Sequence, residues 1–184
     1  MLSRGGLAQG AVGVVRPGDR VALMVRDTVD TVPVSAVGRV VLPLVGPLTI
    51  AGLPLREAED SMTRALSRVL ARPDLRVTML RRVVVDGAVR RSSVLFLDET
   101  IGLSAAIALA GGLSEDADTR AIELWRDGGL VGRFDERQLA TRSPPLDSGD
   151  QVRVARLPWA ARNAFIVASL ASNLISLIVF LVSR

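Results

Sequence analysis

The sequence predicts an α+β protein with a small β-β-α-β domain, a second compact domain rich in strands, and a transmembrane helix at the carboxyl end. Three observations predict this arrangement. Short alternating segments bounded by Gly and Pro indicate strands. Residues 54–69 carry apolar side chains at helical spacing. Residues 164–182 contain no charged side chain, and a helix of that length spans roughly 30 Å of hydrocarbon.

The first strands are predicted from alternation and from the residues that interrupt it. In residues 1–15 we find no clear signal peptide, because the apolar stretch is short and broken by Gly. Residues 20–27 predict a strand that follows a turn at Pro17-Gly18-Asp19. The pieces up to residue 50 favour hairpins and edge strands, because they are interrupted by Pro33, Gly38, Pro43 and Gly46, with Gly52 just beyond.

A helix is predicted from Pro54, which suits the first helical turn because its missing N–H needs no partner there. Pro73 bounds the helix, and residues 75–80 alternate as a returning strand. The first domain therefore ends near residue 81, with the helix laid across the hairpin strands. The predicted apolar face consists of Leu55, Ala58, Met62, Ala65, Leu66 and Val69.

The second domain is predicted to begin with strands at 83–89 and 93–98. A short apolar helix lies within 103–113 and is closed by Gly111-Gly112, where a left-handed cap favours Gly. Residues 120–134 predict a hairpin that turns at Asp127-Gly128. A polar loop at 135–145 then leads to a turn and a final strand.

Two segments resemble each other within the chain. "RPGDRVAL" (16–23) and "DSGDQVRV" (147–154) both place Gly-Asp before an alternating strand. A tight turn that enters a strand explains this similarity without any ligand. The similarity is therefore weak evidence for a repeated domain.

The composition argues against several classes of function. The chain has 23 basic residues, all of them Arg, and a formal net charge of +4. The Arg residues are scattered except at Arg81-Arg82 and Arg90-Arg91, so we predict no nucleic-acid partner. These two pairs could meet acidic sugar polymer or lipid headgroups, or they could protect a strand edge. Neither Cys nor His occurs, so we expect no metal site, no cofactor and none of the usual catalytic triads.

Three groups of acidic residues invite an acid–base interpretation, and each has a simpler one. Glu57, Glu59 and Asp60 lie in the first turns of the predicted helix, where carboxylates complement the helix dipole. Residues 115–118 and 135–136 lie in predicted polar loops. Glycan hydrolysis requires two carboxylates facing each other across a cleft, which the sequence does not indicate. We therefore predict no catalytic residue and no enzymatic activity.

In this order the segments resemble the polysaccharide biosynthesis and export family, the exporters of capsule and exopolysaccharide. Residues 16–81 resemble its export domain through "RPGD", "GRVVLPLVGPLTIAGLPLREAE", the amphipathic helix and "RPDLRVTML". Residues 82–156 resemble its soluble-ligand-binding β-grasp (SLBB) domain through "VVVDGAV", "AIALAGGLSEDADT" and "IELWRDG". The resemblance implies structural roles for the family-motif positions Gly18, Asp19, Pro43, Gly46, Gly52, Gly111 and Gly112.

The sequence departs from the family pattern in three respects. It shows no signal peptide and no lipidated Cys, which family members usually carry. Arg90-Arg91-Ser92 stands where the β-grasp domain normally has a Pro-Gly turn. A single β-grasp domain fits, whereas larger exporters have more. These departures indicate a compact or partner-dependent member.

Residues 157–184 contain the predicted membrane helix with its flanks. Trp159 and Arg162 before the helix and Arg184 after it suit the membrane interface. In channel-forming relatives such helices line a ring-shaped pore, which requires a polar stripe. The stripe here could line a pore, pack against another helix or belong to an ordinary anchor. It consists of Ser169, Ser172, Asn173, Ser176 and Ser183, which follow helical spacing.

The resemblance implies a non-enzymatic component of a polysaccharide export apparatus that oligomerises to form or extend a translocation passage. Its implied partners are further copies of the chain, the polysaccharide, the inner-membrane export or co-polymerase machinery, and membrane lipid. The soluble part is expected in the periplasm and the helix in the outer membrane. The excess of Arg before the helix would instead favour a cytoplasmic domain if the helix lay in the inner membrane. The alternatives are a monomeric, membrane-anchored glycan-binding or adaptor module without its own channel, and a cytoplasmic tail-anchored protein.

Overall fold

The computed structural model describes residues 13–25, 28–70 and 75–163, together with residues 165, 166 and 169. This part of the chain has nine strands and four helices, which confirms the predicted α+β class. The strands are β1 (Arg20–Val25), β2 (Thr28–Pro33), β3 (Arg39–Leu42), β4 (Gly46–Thr49), β5 (Leu75–Gly87), β6 (Ser93–Leu97), β7 (Ala117–Arg126), β8 (Gly129–Phe134) and β9 (Gln151–Arg156). The helices are α1 (Leu55–Ser67), α2 (Leu103–Leu109), α3 (Glu136–Thr141) and α4 (Trp159–Arg162).

One 13-residue strand, β5, runs through a seven-stranded sheet that contains strands from both halves of the chain. Along residues 75–80 it pairs with β1, which pairs in turn with β2. Further along, β6 lies on one edge of β5 and β9 on the other, and β7 and β8 follow β9. The prediction of two separate strands at 75–80 and 83–89 is wrong. The residues between them, Arg81 and Arg82, are compatible with extended backbone and pair with β6.

The first half of the chain encloses one hydrophobic core. Hairpin β3–β4 forms a separate two-stranded sheet that contributes Val40 and Leu42 to this core. Helix α1 contributes four residues of the predicted apolar face: Leu55, Ala58, Met62 and Leu66. The prediction that Val69 belongs to this face is wrong, because the helix ends at Ser67 and Val69 is 49% exposed. Pro73, the predicted boundary of this helix, lies outside the described residues.

The second half encloses a separate core between the sheet and two short helices. Alternate residues of β5, β7 and β9, such as Val85, Ile122 and Val152, point into it. Helix α2 contributes Leu103 and Ala106. Each half of the described chain thus has a core of its own.

Two predicted turns are confirmed. Asp127 and Gly128 have φ angles of 49° and 77°, as a two-residue turn between twisted antiparallel strands requires. After α2, Gly111 and Gly112 also have positive φ. Their N–H groups donate to earlier helix carbonyls, at 2.9 Å in both cases, and so close the helix with a Schellman motif.

The prediction of a loop throughout 135–145 is wrong, because residues Glu136–Thr141 form α3. Asp135 caps this helix by accepting a hydrogen bond from the Arg137 N–H, and the Gln138 side chain accepts one from the Asp135 N–H. Leu139 is buried in the second core. The spacing Asp-x-x-Gln is that of a capping box, so the signal for this helix was present in the sequence.

Among the described residues, no helix is both long enough and apolar enough to cross a membrane. The predicted span at 164–182 lies outside the described residues except at positions 165, 166 and 169. The transmembrane helix therefore stays a prediction. The structure places one helical turn, α4, directly before it.

Replacing Asp135 by Ala should lower the free energy of unfolding by about 1 kcal/mol, because α3 loses its side-chain acceptor. Chemical unfolding followed by circular dichroism measures this change. The matched control is Asp135→Asn, which retains an acceptor and should stay within about 0.5 kcal/mol of the parent protein. An equal loss in both variants would contradict a capping role.

Candidate functional site

Two four-residue turns of the same form meet where the two halves of the chain join. Residues 16–19 lead into β1 and residues 147–150 lead into β9. In each turn the N–H of the final Asp, Asp19 or Asp150, donates to the first residue's carbonyl, at 3.1 and 3.2 Å. Each Asp carboxylate accepts the first residue's N–H, at 2.8 and 2.7 Å. The third residue is a Gly with φ of 93° or 83°. The resemblance between the two sequences is therefore a resemblance of structure.

Asp19 connects the two turns to each other and to β5. Its side chain is completely buried. Oδ1 accepts hydrogen bonds from the Arg82 N–H, at 2.9 Å, and from the Ser148 hydroxyl. The Gly149 N–H donates to the Arg82 carbonyl at 2.8 Å, so one residue of β5 is held from both turns. Because a buried carboxylate is costly unless it is hydrogen-bonded, this contact fixes how the two halves join.

Ion pairs surround the buried contact. The Arg16 guanidinium donates to both carboxylate oxygens of Asp127, and this hydrogen bonding lowers the pKa of Asp127. The neighbouring Arg126 lies 2.6 Å from Asp147 and 2.7 Å from Asp150. The β7–β8 hairpin is therefore attached to both turns.

Arg81 makes a further connection between the halves. The residue is 3% exposed, and its guanidinium donates to the carbonyl oxygens of Leu146 and Asp98. Close by, Arg56 of α1 lies 3.5 Å from Glu99. The sequence allowed a ligand contact or a protected strand edge for the pair Arg81-Arg82. Arg81 has neither role, because its charge is directed at carbonyl groups inside the protein.

A groove of about 330 Å³ lies along β5 on the edge that faces away from β1. The Glu59 carboxylate accepts the Met79 N–H at 2.8 Å, at a position where another strand would otherwise pair. Burial raises the pKa of Glu59. On the opposite wall a hydrogen bond from the Thr100 hydroxyl lowers the pKa of Asp98. Both carboxylates therefore already accept structural hydrogen bonds.

The predicted interface anchors lie where the chain leaves the second half. Trp159 is 58% exposed at the start of α4. Arg162 and Arg156 lie 3.5 and 3.6 Å from Asp116. The pKa of Asp116 is lowered, first by a hydrogen bond from Ser114 and then by these two guanidinium groups. These ion pairs thus attach the segment that follows β9 to the second half.

The predicted polar stripe is described at one position. The Ser169 hydroxyl is exposed and donates to the Ile166 carbonyl at 2.9 Å. The remaining stripe residues, Ser172, Asn173, Ser176 and Ser183, lie outside the described residues, as does the anchor Arg184.

The structure does not bring the family-motif positions together. Gly18 and Asp19 lie in the first of the two turns, Pro43 and Gly46 lie at the β3–β4 turn, and Gly52 precedes α1. The pair Gly111-Gly112 follows α2 in the other half. Residue patterns named Arg82 only as a member of an Arg pair, and they did not single out Ser148 or Asp150, although the repeated Gly-Asp was a signal for these two.

The geometry of two joined units agrees with comparison to known families. The model described as "Polysaccharide biosynthesis/export protein" matches residues 8–80. The model described as "SLBB domain" matches residues 82–135. The chain belongs to the polysaccharide biosynthesis/export family. The two matches adjoin within β5, beside the residues that Asp19 holds.

This export-family chain is 32% identical over 101 residues to the EPS I polysaccharide export outer membrane protein EpsA of Ralstonia solanacearum. The alignment takes in 52% of the chain and 27% of EpsA. The chain thus spans about a quarter of the length of this curated relative.

The match to the export family contains the first core and Asp19. The match to the SLBB domain contains most of the second core, and Ser148 and β9 lie beyond its last residue, 135. Within the described part of the chain, no group of three or more acidic side chains is placed to hold a metal ion. Among the described residues, buried polar contacts converge at the junction of the two halves, around Asp19.

Replacing Asp19 by Ala should lower the free energy of unfolding by about 3 kcal/mol, because three donors lose a buried acceptor. Thermal and chemical unfolding of the full chain measure the loss. The matched control is Asp60→Ala on the exposed side of α1, expected within about 0.5 kcal/mol of the parent protein. An Asp19→Ala variant as stable as the control would contradict the role of the junction.

Replacing Glu59 by Gln should change how stability depends on pH. Because the pKa of Glu59 is raised on folding, the folded state holds this proton more tightly, and stability falls as pH rises from the ordinary value through the raised one. Gln lacks this titration and retains an acceptor for the Met79 N–H. The variant should therefore gain stability relative to the parent in thermal melts as the pH rises above about 4.3, the ordinary pKa of Glu. A relative loss with rising pH would contradict the assignment.

Proposed function

We propose that this protein is a non-enzymatic component of a polysaccharide export apparatus, and that its copies assemble to form or extend a translocation passage. The observation that carries the proposal is the uninterrupted β5, shared by the export and SLBB domains and held by Asp19 at the junction. A ring subunit must keep a constant angle between its domains, because a small error in each copy prevents closure. A strand that both domains share, held by buried polar contacts, keeps the angle between the domains constant.

In this proposal the two domains lie in the periplasm, and residues 164–182 anchor them in the outer membrane. The relative EpsA is a polysaccharide export outer membrane protein, which supports this location. Exposed Trp159, at the start of α4, suits the lipid–water interface. The proposed partners are further copies of the chain, the polysaccharide, membrane lipid, and the inner-membrane export or co-polymerase machinery.

The proposal assigns no catalytic step to the chain. Glu59 and Asp98, the carboxylates of the groove, serve a backbone N–H and a neighbouring hydroxyl. The polymer would be guided by steric confinement and by weak contacts along its length.

The second candidate function is a monomeric, membrane-anchored adaptor that binds glycan and has no channel of its own. It is motivated by the separate core that each half of the described chain encloses. An adaptor needs no subunit contact, whereas an assembling exporter needs one on its surface or along its membrane helix.

Light scattering on the detergent-solubilised full-length protein tests the proposal. We expect the mass of a ring-sized oligomer. The triple variant Ser172→Leu/Asn173→Leu/Ser176→Leu should reduce that mass or block export, because the stripe would line the pore or a subunit contact.

The matched control carries three substitutions on the opposite side of the predicted helix, Leu170→Ile/Leu174→Ile/Leu181→Ile, and should leave the mass unchanged. A monomer in several mild detergents, indifferent to the stripe substitutions, would refute assembly and favour the adaptor.

A further inference from the structure

The SLBB sheet has two unlike faces. One face carries the core residues that pack against α2 and α3, such as Val85 and Ile122. The alternate residues of the same strands point the other way, because side chains alternate along a strand. We call the surface that these alternate residues form on β5, β6, β7, β8 and β9 the outer face.

A stripe that is apolar except at Gln151 crosses the outer face. The strand registers place five residues side by side: Leu130, Trp125, Gln151, Val84 and Val94. The two end residues, Leu130 and Val94, are 49% and 47% exposed, and the three between them are half-buried. Four steps between strands of about 4.8 Å each make the stripe about 19 Å long. Exposed apolar surface with a polar border marks interaction sites.

A charged row lies directly beside the stripe and orients its Trp. The Trp125 Nε1 donates to Glu123 at 3.0 Å, and Glu123 also pairs with Arg133 at 2.5 Å. The Arg153 guanidinium lies 5.9 Å from the Trp125 ring centre and 3.5 Å from Asp86. The indole is therefore fixed by its neighbours and presented among hydrogen-bonding groups.

A second aromatic group lies on the other side of the stripe. Phe96 is half-buried, and the Arg20 guanidinium lies 3.9 Å from its ring centre. The exposed Arg82 is its register partner on β5. Of the four Phe and two Trp in the sequence, Phe96 and Trp125 thus share this face.

The charges of the outer face are predominantly positive. Four guanidinium groups border the stripe, and the carboxylates among them belong to Glu123 and Asp86. Arginine presents a planar fork of donors that matches carboxylate and phosphate groups.

We propose that the outer face binds an anionic polysaccharide, laid along the apolar stripe. The proposal rests on the proposed function, from which it takes the polymer, and it adds the site and the charge class. The apolar C–H faces of sugar rings pack on the stripe, with Trp125 as its aromatic group, because the Arg20 guanidinium already covers the Phe96 ring. Hydroxyl groups bond to the Gln151 and Asp86 side chains, and the acidic groups of the polymer pair with Arg82 and Arg153.

Isothermal titration of the full-length protein with polygalacturonate fragments tests the site, with dextran of the same length as the neutral comparison. A zwitterionic detergent avoids competing sugar headgroups. Polygalacturonate should bind and dextran should not. Trp125→Ala and Arg82→Glu should each weaken polygalacturonate binding by about tenfold.

Each variant has a matched control on another surface. Trp159→Ala changes the other Trp, and Arg142→Glu reverses an exposed charge beside α3, on the core-facing side of the sheet. Both should bind as the parent protein does. Arg82→Glu changes an exposed side chain, so it remains informative if Trp125→Ala does not fold.

Equal affinity for dextran, or unchanged affinity in both outer-face variants, would overturn the proposal. So would loss of the oligomer in light scattering of Arg82→Glu, since the face would then be a subunit contact. Failure of the site is distinguishable from failure of the proposed function. The protein could assemble and be required for export while its affinity for polygalacturonate does not depend on Trp125 or Arg82. That result would refute only the proposal about the outer face.

Discussion

The buried carboxylate of Asp19 is the contact on which the arrangement of this protein depends. It accepts hydrogen bonds from its own turn, from the Arg82 backbone and from the Ser148 hydroxyl, which belong to three separate parts of the chain. A carboxylate taken out of water is tolerated only when its lone pairs are used. Because Asp19 needs all of these hydrogen bonds to remain buried, it holds the export and SLBB domains in one orientation relative to each other.

The second constraint is the continuity of β5. The two domains share one backbone segment, so a hinge between them would have to bend the strand at Arg81 and Arg82, which pair with β6. The Arg82 N–H and carbonyl are also hydrogen-bonded to Asp19 and Gly149. Arg81 adds buried hydrogen bonds to the Leu146 and Asp98 carbonyls. These features suit a subunit that acts as a rigid body, and they place the polar groove and the outer face in fixed positions relative to each other.

Much of the local structure followed from residue patterns, and the exceptions have physical causes. The hairpin turn at Asp127-Gly128 and the cap at Gly111-Gly112 were predictable, because positive φ strongly favours Gly and Asp-Gly pairs. Helix α3 was missed although Asp135 and Gln138 form a capping box, because six mostly polar residues give little periodicity. The prediction of separate strands on either side of Arg81 and Arg82 was wrong, because an apolar pattern cannot show that the charged Arg81 side chain is buried against carbonyl groups.

By itself the sequence determined the α+β class, the apolar face of α1, the turns and the family, since each depends on neighbouring residues or on motifs in order. Only the tertiary structure decided what the two Gly-Asp turns do. In the sequence they are two similar tight turns about 130 residues apart; in the fold they meet at Asp19 and Ser148. It also decided which residues share the outer face, because strand register across β6, β5, β9, β7 and β8 is set by long-range pairing. Contacts between distant segments depend on the packing of the whole chain, which no local pattern contains.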